Sequence, residues 1–209
     1  MSPIPMSDIP GYKRLHELVY GALDLSQESQ AVEFKGSAAW DSLKWRVIRT
    51  AMAMGNLRDG GIIIIGVAEV GDKWDLGGIE TTHLATYDAD DVIDITSSYA
   101  SPPLGMKIAR TKYSNNREFL ILQVDEFDHT PHVCKKNGPA GSNLFEGELY
   151  IRPPGKPQTK KVSNAQEMQD LLELAAEKKA RTMIETFHRI GITSSPTPGE
   201  RFNAELEGL

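Results

Sequence analysis

A single cysteine, Cys134, stands in 209 residues. That excludes an intramolecular disulfide and any zinc site built from several cysteines. Long apolar runs are missing as well. None is longer than Ile62 to Ile65, which falls far short of the roughly 18 apolar residues that a membrane-spanning helix needs. The opening MSPIPMSDIPGYKR has no apolar stretch behind a basic segment, so the expectation is a cytoplasmic protein without a secretory signal and without membrane contact. Positive charge is not in excess: 23 Lys and Arg against 29 Asp and Glu give a net charge of -6. A uniformly basic coat for nucleic acid is therefore excluded, and any nucleic-acid site must be a local patch. Neither a Gly-Lys-Ser/Thr phosphate loop nor a GxGxxG turn occurs, and there is no internal repeat.

What is present is ordinary globular usage, 40% hydrophobic and 25% charged, in a length that suits one domain with tails better than two domains. Charge is segregated along the chain. Gly61 to Ala100 holds eight acids and one base, whereas Ser101 to Lys161 holds ten bases and six acids. The spacing of apolar residues predicts helices over Tyr12–Leu23, Asp41–Leu57 (with Asp41 as N-cap), Asp88–Tyr99 and Ala165–Phe187. Ser163 and Glu167 are placed for a capping box at the start of the last one. Strands are predicted over Ala31–Lys35, Ile62–Ala68, Gly105–Thr111, Phe119–Val124 and Glu148–Arg152. Four consecutive isoleucines need cover on both faces of a sheet, and Asn115-Asn116 marks a hairpin between antiparallel neighbours. The expected fold is α+β, a mixed or antiparallel sheet with packed helices. Residues 1–25 form an N-terminal helical segment, 26–190 the domain, and 191–209 a tail whose Ser, Thr, Pro and Gly predict disorder.

Two stretches bear on chemistry. In Glu28-Ser-Gln-Ala-Val-Glu33-Phe-Lys35, the odd separation of the carboxylates sends them to opposite faces of a straight strand. They converge only if the chain bends near Ser29-Gln30. Converging carboxylates repel, and a divalent cation reconciles them. In Asn56-Leu-Arg-Asp-Gly60-Gly61-Ile-Ile-Ile-Ile65-Gly-Val67 the glycines precede a strand, not a helix N-terminus, so they read as turn residues with Asn56 stitching the turn. His129, His132 and Cys134 fall short of four soft ligands, and no zinc is expected. Trp45 reads as a core residue and Trp74 as an exposed one. Tyr150 and Arg152 share a strand face from which a base or phosphate could be reached. The last helix, with Leu171, Leu172, Leu174 and Ala175, is expected to pack on the core or to meet a second copy.

Taken together, the E-S-x-x-x-E-F-K opening, the A-x-x-N…G-G…I-G-V stretch, Phe119–Val124, Pro131–Lys136, Gly147–Arg152 and Ser163–Glu167 resemble the Schlafen AlbA_2 domain, also called divergent AAA-4 or Alba-like. The resemblance runs from about Ser26 to Leu174 and implies a single lobe of that fold. It implies nucleic acid as partner. Bacterial members are described as DNA-binding or ATP-binding regulators, and some animal relatives are divalent-metal endoribonucleases acting on tRNA and structured RNA through three carboxylates. By that resemblance the first two carboxylates fall on Glu28 and Glu33, and the third on Glu69 or Asp72. Lys35 matches a lysine beside them, and Mg²⁺ or Mn²⁺ is the implied cofactor. Lys107, Arg110, Lys112, Lys135, Lys136, Arg152, Lys160 and Lys161 are the expected contacts to RNA or DNA. A homodimer is implied because animal relatives join two such lobes. A non-catalytic regulator is the alternative, and an ATP-binding module a lesser one.

Overall fold

The computed structural model describes residues 2–8, 12–25, 27–113 and 116–191. Along the chain these form β1 (Ile4–Pro5), α1 (Tyr12–Leu25), β2 (Val32–Lys35), α2 (Trp40–Gly55), β3 (Gly61–Ile65), β4 (Ala68–Val70), β5 (Lys73–Asp75), α3 (Thr81–Leu84) and α4 (Ala89–Ser98). There follow β6 (Ala100–Ser101), β7 (Met106–Lys112), β8 (Glu118–Val124), β9 (Val133–Cys134), β10 (Tyr150–Ile151), β11 (Lys160–Lys161) and α5 (Ala165–Arg189). The central sheet has the order β1-β7-β8-β3-β2. The β2–β3 and β1–β7 pairs are parallel, and the other two pairs are antiparallel. The fold is thus α+β with a mixed sheet, as expected.

The isoleucine run explains the layering. Side chains alternate along a strand, so Ile63 and Ile65 enter one apolar cluster with Val47, Ile48, Ala51 and Met52 of α2. Ile62 and Ile64 enter the opposite cluster with Val19 and Leu23 of α1 and Phe34 of β2. The turn into β3 needs its glycine: Gly60 has φ +69, and a Cβ there would collide with the carbonyl oxygen of Val124.

Several local expectations are revised. Asp41 does not cap α2. The helix starts at Trp40, its N-cap is Ala39 with no side-chain bond, and Asp41 lies in the first turn beside Lys44. Asn164, not Ser163, caps α5: its side chain accepts from the Glu167 N–H at 2.9 Å, while Glu167 reaches back to the Ser163 N–H at 2.9 Å. The box is the predicted one moved by a single residue. Trp74 is half-buried, edge-on to Phe34 with ring centroids 5.1 Å apart.

The core-packing expectation for α5 holds only in part: Leu171 is buried and Leu174 and Ala175 are half-buried, but Leu172 is exposed. Met183, Ile184 and Phe187 are exposed as well. The helix is held by polar contacts, a two-pronged Arg58–Glu177 pair and Lys178 against Glu126 and the Phe127 carbonyl. Asn115 of the expected turn and the tail from Thr193 to Leu209 lie outside the described residues.

Candidate functional site

The carboxylate pair is assembled by a tight bend. Ser29 and Val32 exchange both backbone hydrogen bonds, at 3.1 and 3.2 Å. This folds Glu28 back so that its carboxylate accepts from the Phe34 N–H at 2.7 Å. The odd spacing is overcome by the bend near Ser29-Gln30 that convergence requires. Burial raises the Glu28 pKa, the Phe34 bond opposes that rise, and the Glu33 carboxylate nearby adds to it.

Glu33 is engaged with cations of the protein itself. One oxygen pairs with Lys35, and the other accepts from Arg152 Nη1 at 2.6 Å. Arg152 has a side chain 0% exposed. Its Nη2 donates to the carbonyls of Ser29 at 2.9 Å and Val32 at 3.3 Å, and Gln30 donates to the Arg152 carbonyl at 2.6 Å. The guanidinium therefore ties the bend and β2 to the segment after β10. A charge this deep is stable only when paired and hydrogen-bonded. Arg152 cannot contact a bound phosphate from there, and Tyr150, 1% exposed with its hydroxyl donating to the Asn143 carbonyl, cannot stack on a base. Both expectations are corrected by burial.

Glu69 lies on β4 opposite Trp74 of β5, and Asp72 lies in the exposed turn between those strands. Among the described residues, no three His, Cys, Asp or Glu side chains gather closely enough to hold a metal ion. Glu33 spends both oxygens on Arg152 and Lys35, and Glu28 spends one on a backbone N–H. In this arrangement the residues do not fit a three-carboxylate metal centre. The cation that reconciles the carboxylates is a guanidinium with an ammonium beside it.

Asn56 does more than close its turn. Its buried side chain accepts from the His132 N–H at 2.7 Å and donates to the carbonyls of His132 and Tyr150, each at 3.0 Å. It thereby fastens the end of α2 to β10 and to the residue just before β9. His132 is buried, its Nδ1 2.8 Å from the Pro102 carbonyl, and burial lowers its pKa. Cys134 is buried, and burial raises its thiol pKa.

The expected basic contacts fall in two places. Lys107, Arg110 and Lys112 lie on β7 of the central sheet. Lys107 is 3.8 Å from Asp125, Arg110 is 3.7 Å from Glu118, and Lys112 stands opposite Glu118 in the register. Lys135, Lys136, Lys160 and Lys161 lie on a separate ribbon, in which β6 pairs with β9, β9 bridges to Leu149, and β10 pairs with β11. Lys160 pairs with Glu167 and Lys161 with Glu148, whereas Lys135 is exposed with no side-chain partner among the described residues. Aromatic rings accompany these lysines. Lys136 sits over Tyr99 at 4.3 Å, Lys161 over Phe145 at 4.0 Å and Lys44 over Trp45 at 5.0 Å, with Trp45 edge-on to Tyr99 at 5.6 Å. Sequence reasoning missed Tyr99 and Phe145. For Phe145 the available signal was an aromatic in a polar loop, whereas Tyr99 closes α4 and gave none.

A mixed five-stranded sheet with helices on both faces, a bent E-S-x-x-x-E-F-K entry into its edge strand and a buried tyrosine–arginine strand define a class of α+β lobe. The Schlafen AlbA_2 domain profile matches residues 28–162, more than half of the chain. The chain belongs to the Schlafen AlbA_2 family. Among solved structures it is similar to the DIP2311 protein from Corynebacterium diphtheriae, at 13% identity and a TM-score of 0.50 over 75% of this chain. It spans 28% of the length of that protein. A second likeness is to the N-terminal domain of a RecG-related protein from Nitrosomonas europaea, at 20% identity and a TM-score of 0.41, covering 69% of this chain and 94% of that one. At these identities the first likeness speaks for the fold alone. No curated protein matches the sequence. Among the described residues no helix is long and apolar enough to cross a membrane.

Proposed function

We propose that the protein is a nucleic-acid-binding module that works without a resident metal ion. Membership of the family is consistent with a nucleic-acid-related role. The observation that carries the reading is the ribbon that bears Lys135, Lys136, Lys160 and Lys161, with Lys135 and Lys136 exposed. Lysines that track a phosphate backbone contribute salt-dependent, sequence-independent affinity. Such a local patch is the form of site that a chain of net charge -6 can offer. Titrating labelled tRNA and labelled duplex DNA over a range of salt tests this. Affinity falls linearly with salt on logarithmic axes. Lys135→Gln with Lys136→Gln lowers the slope by about 2, and EDTA changes nothing. An affinity indifferent to salt and to both lysines sinks the reading.

A finer reading follows the resemblance to nuclease members of the family: an endoribonuclease using Mg²⁺ or Mn²⁺ at Glu28, Glu33 and Glu69 or Asp72, with Lys35. What favours it is the closeness of Glu28 to Glu33. It requires Arg152 to release Glu33. Incubation of tRNA with Mn²⁺ and either the native protein or Glu33→Gln decides it, since equal cutting by both would mark a contaminant. The exposed Leu172, Met183, Ile184 and Phe187 on α5 support a homodimer, which sedimentation velocity checks.

A further inference from the structure

The rings beside the lysines carry more information than the charge. Phe145 is 45% exposed, with the Lys161 ammonium 4.0 Å from its ring centroid. It lies on the loop between β9 and β10, which is not loose. The Gly138 N–H donates to the Leu144 carbonyl at 2.9 Å, the Glu146 N–H to Asn137 Oδ1 at 3.0 Å, and the Phe145 N–H to the Tyr150 hydroxyl at 3.0 Å. The ring is thus presented on a fixed backbone. On the other side of β9, the Lys135 N–H donates to the Tyr99 carbonyl at 2.8 Å. The half-buried Tyr99 ring is fixed there against Trp45, with Lys136 over it. The ribbon thus carries two pairs of ring and ammonium, Tyr99 with Lys136 and Phe145 with Lys161. The acids on the same ribbon are Glu146 and Glu148, and Glu148 is engaged by Lys161.

Phosphate binding needs only the lysines. Tyr99 also packs on the core beside Trp45, but a ring set next to an ammonium can take an unpaired base, whereas in a duplex the base faces are already stacked. We propose that this face binds single-stranded nucleic acid, with unpaired bases on Phe145 and Tyr99 and phosphates at Lys135, Lys136 and Lys161. The inference rests on the nucleic-acid reading above and adds the strand class and the base platform. Each ammonium shields a ring face from emptiness in the free protein. A phosphate draws the ammonium aside and leaves that face to a base.

The test is fluorescence anisotropy with a labelled strand of about 16 nucleotides, used alone and annealed to its complement. The single strand binds at least about tenfold tighter than the duplex at equal salt. Phe145→Ala weakens single-strand binding by about tenfold and leaves the duplex unchanged, with an unaltered circular dichroism spectrum, since the ring lies outside both apolar clusters. Lys161→Gln weakens both forms and lowers the salt slope by about 1. Equal or tighter duplex binding, or a harmless Phe145→Ala, overturns the single-strand inference and leaves the nucleic-acid reading standing. Absence of binding to either form by the native protein ends both.

Discussion

Two regions of this molecule hold positive charge against a strand, and they use it in opposite ways. At the bend before β2, Arg152 and Lys35 are turned inward onto Glu33, and Arg152 loses all contact with solvent. On the β9–β11 ribbon, Lys135 and Lys136 face water, and what lies beside Lys136 is a tyrosine ring. The first arrangement holds the fold together, because a buried pair must be satisfied internally. The second leaves charge available to a partner. Position in the fold, not residue type, separates a structural cation from a binding one.

The contrast can be broken at its buried end with the largest effect. Arg152→Met strands Glu33 and two carbonyls and costs about 3–5 kcal/mol in urea unfolding. Adding Glu33→Leu to that variant restores most of the loss. A cost below about 1 kcal/mol would mean that the pair is no clamp. Asn56→Ala removes three buried bonds to the backbone around His132 and Tyr150 and costs about 3 kcal/mol. It also loosens the ribbon, which faster amide exchange in residues 132–151 would report. At the exposed end, Lys136→Gln leaves the unfolding midpoint where it is and reduces the salt slope of nucleic-acid binding by about 1. Asn164→Ala, at the start of α5, costs about 1 kcal/mol through the lost cap.

The smallest effect sharpens the comparison by pH. The Glu28 pKa is raised in the fold, so the folded state favours the protonated form. Its contribution is fully present below the ordinary carboxylate pKa and is lost as pH rises through the raised value. Glu28→Gln mimics the protonated group and still accepts from the Phe34 N–H. Its melting temperature lies above that of the native protein at neutral pH, and the gap closes toward pH 4. A gap that is constant with pH would show that Glu28 ionises without penalty.

Much of the sheet could be read from local pattern. Ile62–Ile65 demanded two covered faces, and α2 and α1 supply them. The antiparallel neighbours Met106–Lys112 and Glu118–Val124 were legible from their alternation and separation. The family was legible from motifs in order. The candidate site was legible only in part. Glu28, Glu33 and Lys35 do share one corner, but Arg152 reaches them across 119 residues of sequence, and nothing local in Tyr-Ile-Arg tells an inward arginine from an outward one. The same ambiguity left the reading of α5 divided between the core and a second copy. An apolar stripe at helical spacing looks identical whether it faces a core or water, and here Leu172, Met183, Ile184 and Phe187 face water.

By itself, then, the sequence determined the α+β layering, the turn at Gly60, the family and the acid-lysine corner, because each depends on periodicity, backbone freedom or a short run of neighbours. The tertiary structure decided which charges are paired. It turned Arg152 into the cation of the carboxylate corner and Asn56 into a latch between distant segments, and it set Tyr99 and Phe145 beside exposed lysines. Those outcomes depend on which distant groups meet and on whether water reaches them, and both follow from the packing of the whole chain.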